Sequence, residues 1–216
     1  MRTRLALTLL SLVATTAVAA QEHAHDPDQP VQGGGTLPPG WMARTDNNAS
    51  LSGVKFETMA PGWHITMGPA AILYRENDRA TGPVHAIAKI HLFPGSGHAE
   101  GFGLFLGGQH LQDSSQAYTY FLIRGDGKFL VKRRTGGTTS TIVEWTDSPA
   151  INQAKADGPV ANELSFEVTG DSVAFVVNGQ RVYAAAAGEV DTKGVIGLRV
   201  NHNLSLHVES LGVHPR

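Results

Sequence analysis

The stretch Ala117–Arg134, AYTYFLIRGDGKFLVKRR, constrains this chain more than any other. Tyr118, Tyr120, Leu122 and Arg124 alternate with Thr119, Phe121 and Ile123, and successive side chains of an extended chain point to opposite faces. Gly125-Asp126-Gly127 supplies a turn, because glycine reaches backbone angles that other residues avoid. Phe129 and Val131 then alternate with Lys128, Leu130 and Lys132. The stretch therefore predicts a hairpin with one buried face, made of Phe121, Ile123, Phe129 and Val131. The other face, with its tyrosines and cations, is expected to be wet and to contribute little to the core.

Similar runs recur from Trp41 to Val213, separated by Gly, Pro, Asn and Asp. Val84–Phe93 places Val84, Ala86, Ala88, Ile90 and Leu92 on one face, with His85, Lys89 and His91 on the other. Gly101–Gly107 has one face of Phe102, Leu104 and Leu106 and one lined mainly by glycine, open to a close backbone or a flat ligand. Ser172–Val177 is apolar on both faces, which predicts a central strand. Asn178-Gly179 is the strongest hairpin signal. No window sustains a helical period, and Ala150–Lys155 is the one candidate helical turn. Many short strands in one compact region predict an all-β fold, a jelly-roll β-sandwich of two antiparallel sheets.

Residues 1–20 read as a secretory signal: Arg2 and Arg4, an apolar run, then Ala17-Val18-Ala19 as a cleavage pattern. Residues 21–40, rich in Pro and Gly, read as a flexible leader, and 41–216 as one domain. The expected location is secreted or periplasmic, with no transmembrane segment in the mature chain. Loss of Arg2 and Arg4 takes Lys+Arg from 17 to 15 against 19 Asp+Glu, so the formal net charge moves from -2 to -4. That balance argues against nucleic acid as a partner. The chain has no cysteine, which excludes disulfides, thiolate nucleophiles and Cys-based metal sites.

The succession GFGLFLGG, YTYFLIRGDGKFLVKRR, NELSFEVTGDSVAFVVNGQRV and GVIGLRV resembles the concanavalin A-like lectin/glucanase superfamily over roughly Trp41 to Val213. The likeness is strongest to its laminin-G-like and 3-keto-disaccharide hydrolase-like secreted bacterial branches. The resemblance implies a jelly roll and a carbohydrate ligand. It also implies that a structural calcium is possible in oxygen-rich loops such as Asp46-Asn47-Asn48 and Asp113-Ser114-Ser115. Glycosidases of this fold carry a Glu-x-Asp-x-x-Glu strand, which brings an acid and a nucleophile about 5 Å apart. This chain lacks that motif.

No Gly-x-Ser-x-Gly elbow, P-loop or dinucleotide fingerprint occurs. His23 and His25 beside Asp26 and Asp28 have metal-ligating chemistry but lie on the leader. The best polar constellation is His85, Lys89 and His91 with Tyr118, Tyr120 and Arg124. If the two strands share a sheet surface, they form one aromatic-cationic platform for a carbohydrate or an acidic small molecule. The expected function is a secreted, monomeric, non-catalytic carbohydrate-binding module. A glycoside hydrolase acting on 3-keto or ordinary disaccharides is the alternative, and a cell-envelope interaction module a third.

Overall fold

Period-2 alternation is expressed along nearly the whole chain. The computed structural model describes residues 27–95 and 98–216, so residues 1–20, expected to be a secretory signal, and the His23/His25 pair lie outside the described residues. Within them the chain forms two seven-stranded antiparallel sheets. Strands are numbered in chain order. The first sheet runs β1 (Met42–Thr45), β4 (Ala71–Ala80), β13 (Gly194–Val200), β6 (Gly101–Gln109), β7 (Ala117–Arg124), β8 (Lys128–Thr135), β9 (Thr138–Asp147). The second runs β12 (Gln180–Ala186), β11 (Ser172–Val177), β10 (Val160–Val168), β5 (Val84–Leu92), β14 (Ser205–Pro215), β3 (Trp63–Met67), β2 (Val54–Thr58). The described residues contain no α-helix, only two short 3-10 turns, and no helix long and apolar enough to cross a membrane.

The sheets pack face to face. Phe102, Leu104, Phe121, Ile123, Val131 and Leu198 of the first sheet are buried against the same core as Ile65, Ile90, Phe166, Phe175 and Leu206 of the second. The predicted buried face of the β7–β8 hairpin is thus the one that enters the core. The β11–β12 turn has both Asn178 (φ 48°) and Gly179 (φ 76°) in the left-handed region, as a two-residue primed turn requires. Asn178 also donates its side-chain amide to Ala150 O and Asn162 Oδ1, which ties the turn to the neighbouring strand β10 and to the Ala150 turn.

Four expectations change. Met42–Thr45 is a strand that its short, polar sequence does not announce. β11 lies next to an edge strand, not at the sheet centre, and its outer residues are half-buried. Ala150–Lys155 forms turns and bends with no helix, its Ala150 and Ile151 buried in the core. The segment read as a flexible leader is, from Pro27 onward, laid along the domain. Gly33 N–H donates to Ser52 O and Gly34 N–H to Val54 O, while Phe56 N–H donates to Gly34 O. Gln29 N–H donates to Asn203 Oδ1. Backbone pairing with the free edge of β2 outweighs a composition that otherwise favours disorder.

Candidate functional site

Strand register fixes what the outer face of the first sheet carries. Arg44 pairs with Ile72, Ile72 with Arg199 and Arg199 with Gly103, while Tyr74 pairs with Gly197 and Gly197 with Phe105. Phe105 pairs with Tyr120, Tyr120 with Lys132, and Tyr118 with Arg134. All of these project away from the inter-sheet core. They form a second apolar cluster of Ile72, Tyr74, Phe105, Tyr118, Tyr120, Leu122 and Leu130, with Trp145 packed on it. Phe105 and Tyr118 ring centres lie 5.2 Å apart, and Tyr118 and Tyr120 ring centres 5.8 Å apart. The glycine face of β6 is filled by such groups. A Cβ on Gly101 would lie 3.0 Å from the Trp145 ring, and one on Gly107 would strike the backbone of Asp191.

Three arginines lie over this aromatic floor. Arg199 Nη1 and Nη2 donate to the two carboxylate oxygens of Asp46, each at 2.7 Å, and Arg134 Nη2 reaches Oδ2 at 3.3 Å. Asp46 follows edge strand β1, whereas Arg134 is on β8, five positions across the sheet. On a flat sheet those strands would stand about 24 Å apart at about 4.8 Å per step. Their contact requires the sheet to curl, so this outer face is concave. Arg199 stands over the Tyr120 ring at 5.9 Å.

The electrostatics follow from burial. Burial opposes the charge of Asp46, but the Arg199 hydrogen bonds, then the charges of Arg199, Arg134 and Arg44, hold its carboxyl below the usual range. Burial pushes the Tyr118 and Tyr120 hydroxyls up, so both stay protonated donors. Several buried polar atoms have no partner: Arg44 Nε and Nη1, Arg134 Nε, Arg199 Nε and the Tyr118 hydroxyl. Arg134 lies near that hydroxyl without closing a hydrogen bond of normal geometry. Buried donors of this kind are rare in folded proteins and mark places where water or a ligand completes the shell.

The six residues singled out from sequence separate into two groups. Tyr118 and Tyr120 belong to the concave face, but they are its floor, 1% and 7% exposed, and not the wet surface expected. Arg124 lies at one end, bound to Asp126 at 2.8 and 2.6 Å and stacked over Trp145 at 4.4 Å. His85, Lys89 and His91 are on β5, in the other sheet, and project from the opposite side of the sandwich. A single platform is therefore impossible, since both sheets and the core lie between the two groups. Alternation assigns a residue to a face of its strand but does not say which sheet the strand joins.

On that second outer face Lys89 and His91 both reach Glu209, at 3.0 and 2.7 Å. His91 lies 5.4 Å from His207 between ring centres, and His207 pairs across with His64. Hydrogen bonds from His91 and then Lys89 hold the Glu209 carboxyl low, while burial pushes His64 and His207 down, so both stay neutral at pH 7. No group of three metal-ligating side chains with suitable geometry occurs among the described residues. The Asp46 loop proposed for calcium commits its carboxylate to arginines. Asp113 instead accepts from the Ser115 N–H and hydroxyl. A separate cleft of about 550 Å³, lined in part by Phe93, Glu100, Asp126, Lys155 and Ser205, opens at the end of the sandwich.

Sequence reasoning missed Arg44, Arg134 and Arg199, and singled out Asp46 only as part of a calcium loop. Arg199 left a signal: it is the single charge in the otherwise apolar strand GVIGLRV, every residue of which is buried. A lone buried charge demands a partner.

No family model and no curated protein matches the chain. Solved structures do. The chain is similar to the carbohydrate-binding module CBM66 from Bacillus subtilis, with 14% identity and a TM-score of 0.58, over 81% of this chain and 95% of that one. A Bacillus licheniformis β-glucanase aligns with 9% identity and a TM-score of 0.54, over 89% of this chain and 100% of that one. A Bacillus subtilis protein of unknown function with a galectin-like fold aligns with 13% identity and a TM-score of 0.53, over 82% and 90%. Such low identities carry the fold alone, and the fold is the concanavalin A-like lectin/glucanase sandwich.

Proposed function

We propose that this chain is an exported, non-catalytic carbohydrate-binding module, and that its ligand lies on the concave outer face of the first sheet. The observation that carries the reading is the set of buried, unpartnered arginine and tyrosine donors above an aromatic floor. Aromatic rings stack on the apolar faces of sugars, and fixed donors bond their hydroxyls. Structural likeness to a carbohydrate-binding module supports the same reading. The sequence resemblance to laminin-G-like and 3-keto-disaccharide hydrolase-like proteins supports the carbohydrate part of the reading. Export rests on residues 1–20.

Asp46, the carboxylate among these arginines, does not suit the acid of a glycosidase. Its carboxyl is held ionised by Arg199 and Arg134, so it has no proton to give a leaving group. A glycan array probed with the mature chain, repeated with Trp145→Ala, tests the proposal. Binding that weakens tenfold or more with Trp145→Ala at unchanged melting temperature supports it. Binding that survives this change but is lost on altering the end cleft at Lys155 would move the site there.

A further inference from the structure

Charge on the concave face is unbalanced. Register points Arg44, Lys132, Arg134 and Arg199 outward on this face, and the charges of Arg199, Arg134 and Arg44 act on the carboxylate of Asp46. The cations at the far end are matched, Arg124 by Asp126 and Lys128 by Asp147. Those in the middle are not. Arg44 and Lys132 make no ion pair among the described residues, and Arg134 shares Asp46 with Arg199. Unmatched cations beside unpartnered buried donors are a site built for negative charge.

The geometry also bears on which anion. Arg199 already holds a carboxylate through two parallel hydrogen bonds of 2.7 Å, the planar bidentate contact by which guanidinium groups recognise that anion. Asp46 saturates that end of Arg199. The donors left over are Nε and Nη1 of Arg44 and Nε of Arg134, with the Lys132 ammonium on the same face. The half-buried Trp145 ring lies on the same face, with Arg124 stacked on it and Tyr120 in the floor beneath Arg199.

We propose that the ligand is an acidic saccharide, recognised through a uronate carboxylate by Arg44, Arg134 and Lys132 beside the fixed Arg199–Asp46 pair. The inference rests on the carbohydrate-binding reading above and adds the chemical class of the sugar. Asp46 spaces the arginines and leaves the face with net positive charge. A neutral sugar would satisfy the stacking surface but leave the cations uncompensated.

The test is calorimetric titration of the mature chain with oligomers of galacturonate, glucuronate, mannuronate and guluronate, each beside its carboxyl-reduced neutral counterpart. At least one acidic oligomer is expected to bind tenfold or more tightly than its reduced partner. Lys132→Gln, at a half-exposed position, should cut that preference at least threefold while leaving the neutral oligomer's affinity unchanged; Arg44→Gln should cut the preference at least threefold as well, and Arg44→Lys should restore part of it. Equal binding of acidic and reduced oligomers, still sensitive to Trp145→Ala, overturns the acidic class and leaves the carbohydrate reading standing. Binding of neither overturns both. Sulfated oligosaccharides that bind as tightly as uronates overturn carboxylate recognition in favour of charge alone.

Discussion

The two outer faces of this sandwich look alike in sequence and differ in construction. Each has cations alternating with apolar residues along its strands. On the first sheet, Arg199 is buried over the apolar layer of Tyr120, Phe105 and Tyr74, and its carboxylate partner Asp46 is partly exposed. On the second, Lys89 and His91 share Glu209 in an open arrangement, with Lys89 43% exposed. The same residue types thus become a buried network in one place and solvated surface in the other. Cross-strand neighbours decide which. Bulky aromatics on β6 and β7 exclude water from around the arginine, whereas on β10 the partners of Lys89 and His91 are Glu163 and Ala161, too polar or too small to do so.

The contrast is most directly broken at Arg199. Replacing it with alanine leaves the partly buried Asp46 with Arg134 as its weaker partner, and loss of one member of a buried pair costs at most about 3–5 kcal/mol. Urea denaturation of Arg199→Ala should show that loss, and a change below about 1 kcal/mol would mean that the face is wetter than its packing implies. Next comes Tyr120. A solvated tyrosine would be cheap to truncate. Here Tyr120→Ala should cost about 3 kcal/mol, close to Phe121→Ala on the core side of the same strand. A twofold smaller loss than Phe121→Ala would return Tyr120 to the surface.

A pH series separates the faces by a smaller effect. The His64 and His207 side chains titrate below their unfolded value of about 6.5, so the unfolded chain takes up protons first. Their contribution is whole above pH about 6.5 and is lost as pH falls through the lower folded values. Asp46, also depressed, contributes fully above about pH 3.9 and loses its share only as pH falls through a value lower still. Melting temperature should therefore begin to fall below pH about 6.5. The joint change His64→Gln and His207→Gln should flatten that first decline. An unchanged decline in the double variant would place its origin elsewhere. The smallest effect belongs to Lys89→Ala, an exposed pair worth about 0.2–1 kcal/mol, and less in high salt. A loss as large as that of Arg199→Ala would erase the distinction between the faces.

Much of the fold was readable because its determinants are local. The β7–β8 and β11–β12 hairpins are written in Gly125-Asp126-Gly127 and Asn178-Gly179, and the core faces in plain alternation. The site was less readable because its determinants are distant. Asp46 and Arg199 are separated by 153 positions, and no local pattern joins them. Tyr118 and Tyr120 were placed on the correct side of their strand, yet their burial depends on Phe105 and Arg199 arriving from β6 and β13. His85, Lys89 and His91 were placed on the correct face of β5, but strand order assigns β5 to the other sheet. The Trp41 and Trp63 rings, 5.1 Å apart, pack at the core and its rim.

The segment from Pro27 to Gly40 bears on how the molecule behaves in a crowd. An unpaired edge strand is a template on which another chain can add, and it is the usual starting point of fibrils. In this sandwich β2 forms one margin of its sheet, and Gly34 lies beside Lys55 in a parallel bridge that occupies its backbone groups. A Cβ on Gly35 would collide with the Phe56 carbonyl, so the cover fits only with glycine there. The consequence is colloidal. A chain processed downstream of Gly35 would keep its sheets and its concave face, but it would carry an adhesive margin into concentrated solution.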